Sequence, residues 1–176
     1  MDYKKAFEYA TEKHGASPKR IGGAEYITHP IAVSEILRAK GYGVDVQIMG
    51  LFHDLLEDTD ATTEKISEYG NPEVLEVVKL VTKEPGYVSS DYYSRILFNE
   101  KASAVKLADR IHNLRSCLKA SEEWRHEYYM ETVEEFSDLV ERSFKFSGCR
   151  GQVFKEDMLD ALNQVFDSFS LEFYCS

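Results

Sequence analysis

An all-α fold is predicted by three observations on this 176-residue chain. Apolar residues recur at spacings of three and four along most of it. Helix punctuation accompanies them, with proline near starts and glycine at ends. No run of alternating polar and apolar residues bounded by turns reads as a strand.

The elements follow in order. Tyr3, Ala6, Phe7, Ala10 and His14 predict a helix over 2–14, ended by Gly15. Residues 15–28 form a loop containing Pro18, Lys19, Arg20, Gly22 and Gly23. His29-Pro30 opens a second helix with proline at its first position and Ile31, Val33, Ile36 and Leu37 as its stripe. Gly41 and Gly43 precede a helix over about 44–57, whose apolar run Ile48 to Leu56 marks it as the buried centre of the chain. A short helix over 62–69 closes at Gly70, and Asn71-Pro72 caps and starts the next, through about Thr82. Beyond the Pro85-Gly86 turn come helices over 90–99 and 101–118, the latter striped by Leu107, Ile111, Leu114 and Leu118. Ser121 caps a helix to about Phe146, with Glu122 and Glu123 favouring its dipole. A break at 147–151 precedes a last amphipathic segment over 153–169. Trp124, Tyr128, Tyr129 and Phe136 read as core, and His14, His112 and His126 as surface or packing residues.

A composition of 43% hydrophobic and 30% charged residues is that of a soluble globular chain, and its length is that of one domain, 1–176. No stretch approaches the ~20 apolar residues of a membrane span and no apolar leader is visible, so a cytoplasmic location is expected. Cys117, Cys149 and Cys175 are too widely spaced for a disulfide or metal framework and read as reduced bystanders. The formal charge of −10 argues against non-specific binding to nucleic acid or anionic membrane. Oligomeric state is not readable.

The chemistry concentrates at His53-Asp54, set within the most apolar segment. Burying an imidazole and a carboxylate is costly without a partner, and a metal ion is a strong one. A structural hydrogen-bonded pair is the bland alternative. His29 at one helix start and Asp109 within another complete a two-histidine, two-carboxylate set suited to Mn²⁺, Fe²⁺, Zn²⁺ or Mg²⁺. Glu57 and Asp58 lie one turn past His53-Asp54. Acidic residues at a helix C-terminus oppose the dipole by ~0.3–1 kcal/mol each, a broken local rule of the kind found at functional sites.

Tyr26-Ile27-Thr28-His29-Pro30, Leu51-Phe52-His53-Asp54-Leu55-Leu56-Glu57-Asp58-Thr59 and Val105 to Arg115 closely resemble motifs of the HD-type hydrolase domain of the RelA/SpoT family. They occur in the family's order over about residues 3–120, with 121–176 supplying C-terminal helices of the same domain. The resemblance implies an HD-domain helical bundle. It implies a metal-dependent phosphohydrolase in which a metal-activated water removes the 3′-pyrophosphate of (p)ppGpp, giving GDP or GTP, most often with Mn²⁺. The family's synthetase and regulatory regions have no counterpart here, so the chain looks like the small alarmone hydrolases. By motif position, His29, His53, Asp54 and Asp109 would hold the metal and Glu57 and Asp58 would manage protons. Arg20, Lys106 and Asn113 would face the nucleotide, and Arg110 could be a further counter-charge or a plain salt bridge. Ile21 and Glu25 depart from the family pattern near the nucleotide. Other readings stay open: hydrolysis of a nucleoside monophosphate, another nucleotide polyphosphate or NADPH; a non-catalytic alarmone- or metal-binding module; or an interaction protein using its acidic C-terminal helices.

Overall fold

The computed structural model describes the backbone of residues 1–147 and 149–172 and the side chains of 1–134 and 154–169. Among the described residues the regular structure is helical. α1 (Tyr3–Lys13) is capped by Asp2, which accepts from the N–H groups of Lys4 and Lys5, and a short 3₁₀ turn follows at His14–Ala16. α2 (Thr28–Ala39) begins slightly earlier than Pro30 implies, so the proline occupies the third helical position. Its missing N–H costs nothing there, because first-turn amides have no helical partner.

The predicted helix over 44–57 is two elements, α3 (Val44–Phe52) and the single turn α4 (Leu55–Asp58), separated at His53-Asp54. His53 Nδ1 turns back on the Gly50 carbonyl at 2.8 Å, and the chain restarts with the Glu57 and Asp58 N–H groups on the Asp54 carbonyl. This overturns the dipole argument for Glu57 and Asp58, since a one-turn helix has little macrodipole to oppose. α5 (Thr63–Tyr69) is capped by Thr62, and α6 (Pro72–Val81) is capped by Asn71 as the sequence predicts. α7 (Ser89–Leu97) and α8 (Glu100–Cys117) follow, then α9 (Glu122–Ser147) and α10 (Cys149–Glu172). α10 therefore starts within the expected break, whose Gly148 lies outside the described residues.

α3 is buried as expected, but α8 is the element around which the others assemble. It contacts α2, α3, α6, α7, α9 and α10, and an unbroken run from Ala102 to Ile111 is buried. Burial on all sides explains why Asp109 is inside although it flanks the apolar stripe. Gly50 lets α3 approach α2 closely: a Cβ there would meet Leu37 Cδ1 at 2.6 Å and the Ser34 backbone nitrogen at 3.3 Å. The same residue's carbonyl orients His53, so one glycine fixes both the helix packing and the imidazole. Lys40, which caps the C-terminus of α2, pairs with Asp157 of α10, tying the last helix to the bundle.

Trp124 is 40% exposed and stacks on half-buried Tyr128, so it is a surface residue and not core. Tyr129 packs against the core cluster, and the Phe136 side chain lies outside the described residues. Cys117 is free and buried, its thiol directed at the Leu114 carbonyl; the side chains of Cys149 and Cys175 are outside the described residues. Among the described residues no helix is long and apolar enough to cross a membrane.

Candidate metal centre and cleft

α2, the α3–α4 junction and α8 bring His29, His53, Asp54 and Asp109 to one buried point. His29, His53 and Asp109 each offer a ligand atom, all within 4.8 Å of one another. His29 Nε2 lies 3.2 Å from His53 Nε2 and 3.1 Å from Asp109 Oδ1. Asp54 joins from the helix break, with Oδ1 3.0 Å from His53 Nε2 and Oδ2 3.5 Å from His29 Nε2. All four residues predicted to form the set are thus together.

The donor set fits a cation. With Nδ1 of His53 occupied by the Gly50 carbonyl, the proton belongs on Nδ1 and the Nε2 lone pair faces the cluster. His29 Nδ1 lies 2.7 Å from His112 Nδ1. If His29 donates there, its Nε2 lone pair also points inward. Burial, reinforced by His29 and Arg20, pushes His112 down to about 4, so it stays neutral and able to accept. Lone pairs and carboxylates converging in a buried space repel one another unless a cation or shared protons lie between them. Without an ion, burial works to lower His53, but Asp54 and Asp109 outweigh it and push it up to about 10. Burial likewise opposes ionisation of Asp54 and Asp109. His53 nevertheless holds Asp54, and Lys106 holds Asp109, below the usual carboxylate range.

Asp109 is the most heavily tethered member. Its Oδ2 accepts from Lys106 Nζ at 2.8 Å and its Oδ1 from Asn113 Nδ2 at 2.6 Å. Asn113 Oδ1 in turn accepts from Arg20 at 2.6 Å. The loop holding Arg20 turns through Gly22 and Gly23 at φ 87° and 83°, a left-handed conformation suited to glycine. Lys106 is buried and committed to Asp109, and burial makes this ion pair a fixed part of the centre.

Above the cluster is a cleft of about 340 Å³. Glu57 and Asp58 stand on its wall with Arg20 and Asn113. Glu57 Oε2 accepts from the Lys83 backbone N–H at 3.0 Å. Solvent reaches Glu57, yet the surrounding walls desolvate it enough to raise its carboxyl above the usual value. Asp58 accepts from the Tyr26 hydroxyl, which also lies 2.9 Å from Asp54 Oδ2.

Several lining residues escaped the sequence reading. Tyr26 belongs to a quoted motif, but its bridging of Asp54 and Asp58 depends on tertiary placement. His112 was expected at the surface or in packing and instead touches His29; its position three after Asp109 on the same helical face was the available signal. Tyr128 and Glu131 reach the cleft from α9, and Arg110 is buried between them, 2.6 Å from Glu131 and over the Tyr128 ring. Arg110 is therefore a structural counter-charge. Nothing in the local pattern indicates where α9 crosses α8.

An HD domain family model matches residues 6–86. The chain is 35% identical over 152 residues to a guanosine-3′,5′-bis(diphosphate) 3′-pyrophosphohydrolase of Spiroplasma citri, a match covering 80% of this chain and 20% of that protein. It is 34% identical over 149 residues to the enzyme of the same name from Aquifex aeolicus, covering 80% and 21%. The chain thus spans about a fifth of the length of these curated relatives. Among solved structures, a metazoan SpoT orthologue described as hydrolysing ppGpp aligns with TM-score 0.72 at 24% identity, over 92% of this chain and 94% of that one. A protein from Listeria monocytogenes aligns with TM-score 0.63 at 23% identity, over 80% and 97%. At these identities the structures establish a shared helical fold.

Proposed function

We propose that this chain carries an HD domain of the RelA/SpoT type and hydrolyses the 3′-pyrophosphate of ppGpp and pppGpp, releasing pyrophosphate and GDP or GTP. The observation that carries the reading is the convergence of His29, His53, Asp54 and Asp109 at the floor of a cleft walled by Glu57 and Asp58. The names of the similar pyrophosphohydrolases point the same way. The reading takes 1–176 as one domain, supported by the packing of α10 on α8, and places the protein in the cytoplasm.

The four floor residues would hold a divalent ion, with Mn²⁺ our choice among those that suit mixed nitrogen and oxygen ligands. Such an ion supplies Lewis-acid polarisation of phosphate oxygens and a water of lowered pKa. Glu57, with its raised carboxyl, is suited to take a proton from the attacking water, because a base titrating nearer neutrality accepts a proton more readily. Asp58, steadied by Tyr26, is placed to orient that water or pass a proton toward the leaving oxygen. Asn113 and Arg20 form one hydrogen-bonded unit on the wall that positions the nucleotide, while Lys106 keeps Asp109 ionised.

The test is a substrate panel with pyrophosphate and orthophosphate measured separately. Mn²⁺-loaded protein is expected to release pyrophosphate from ppGpp. Orthophosphate from simple nucleotides, with ppGpp intact, would overturn the substrate assignment. Tight ppGpp binding without product over hours would make the chain a binding module.

A further inference from the structure

A second cavity, an open groove of about 1020 Å³, adjoins the cleft and shares Glu57 and Lys83 with it. Its walls come from α4, α5, α6, the 82–87 turn and Arg95 of α7. Lys79, Lys83 and Arg95 all line it, and among the described residues no carboxylate lies within ion-pair distance of any of the three. In a chain with 31 acidic against 21 basic side chains, the groove carries no acidic excess: its three cations match its three carboxylates in number. Glu76 and Glu84 share the walls, and Glu57 is engaged by the Lys83 backbone N–H. Lys83 is half-buried and lines both cavities, its ammonium 5.0 Å from the Tyr87 ring centroid and 5.8 Å from that of Tyr92.

The cleft's 340 Å³ is at the small end of the ~300–1,000 Å³ typical of ligand pockets. A nucleotide phosphorylated at both its 3′ and 5′ ends overfills it, and the adjoining groove is the neighbouring space that offers unpaired cations. Resting on the proposed reaction, we propose that the groove binds the second, non-reacting phosphorylated arm of the substrate. Lys83 lines both cavities, and Lys79 and Arg95 line the groove alone. The class of ligand is therefore a nucleotide carrying a 5′-di- or triphosphate as well as the 3′-pyrophosphate. Lysine acts here as a mobile point charge and arginine as a planar fork, both suited to phosphate oxygens.

Two substrates separate this role from a general effect on the centre: ppGpp, and guanosine 3′-diphosphate, which lacks the 5′ arm. Lys83→Ala and the exposed double variant Lys79→Ala/Arg95→Ala are expected to raise KM for ppGpp about tenfold or more, one lost charge-assisted contact being worth that much. The KM for guanosine 3′-diphosphate should rise far less, and Lys83→Arg should recover part of the loss. Equal effects on both substrates, or none on either, would overturn the groove assignment while leaving the hydrolase reading intact. If the wild-type protein cleaves neither substrate, the proposed function falls and the groove is decided by calorimetric titration of chelator-treated protein with inorganic pyrophosphate. Binding weakened in the double variant supports the site, and absent or unchanged binding overturns it.

Discussion

On the floor of the cleft Asp109 is 5% exposed and both its oxygens are taken, by Lys106, Asn113 and the two histidines. On the rim, Asp58 is exposed and has Tyr26 as its hydrogen-bond partner, while Glu57 touches the Lys83 backbone. Floor residues are over-determined by tertiary contacts, so removing one disturbs the fold as well as the centre. Rim residues are lightly held, so their loss should alter chemistry and little else. The contrast supports the proposal that the floor holds an ion and the rim works on substrate and water.

The largest expected effect comes from breaking the floor. Asp109→Ala leaves Lys106 charged and buried without its partner, at a cost of about 3–5 kcal/mol. Denaturant unfolding should show that loss, and turnover should vanish. Unchanged stability would mean the Lys106–Asp109 pair does not anchor α8. Next comes the rim: Glu57→Gln and Asp58→Asn should each lower kcat by roughly 10²–10⁴-fold without moving the unfolding midpoint. Wild-type turnover in the double variant would remove both from the proposed mechanism.

Between floor and rim stands Tyr26, whose hydroxyl meets Asp54 of one and Asp58 of the other. Tyr26→Phe should lower turnover about tenfold, the value of roughly one net hydrogen bond. An unaffected rate would show that the bridge is not needed to place Asp58.

The contrast also explains what the sequence revealed. Helix starts and ends were legible because local chemistry sets them: Asn71 caps α6 and Gly70 closes α5. The four floor residues were legible because His29, His53-Asp54 and Asp109 stand within recognisable motifs. The break at His53-Asp54 was not, because a continuous apolar run looks helical until His53 Nδ1 bonds the Gly50 carbonyl. His112, Tyr128 and Lys83 were missed for a related reason. Each enters the cleft or touches its ligands only through the packing of separate elements.

A further effect is expected on pH dependence. In ion-free protein His53 titrates at about 10 against its usual 6.5. Its contribution to stability is therefore complete below pH 6.5 and is lost as pH rises toward 10. Chelator-treated protein should melt roughly 2–4 °C lower at pH 8.5 than at 6.5 for each kcal/mol lost, and saturating Mn²⁺ should suppress the trend. Identical melting profiles with and without Mn²⁺ would argue against His53 exchanging a proton for an ion.

Equilibrium dialysis against Mn²⁺ tests the division between floor and rim most directly. One ion per chain is expected in the wild-type protein and in the Glu57→Gln/Asp58→Asn variant, and none in His53→Ala. An ion retained by His53→Ala, or none bound by the wild type, would contradict the assignment of the floor as the metal centre.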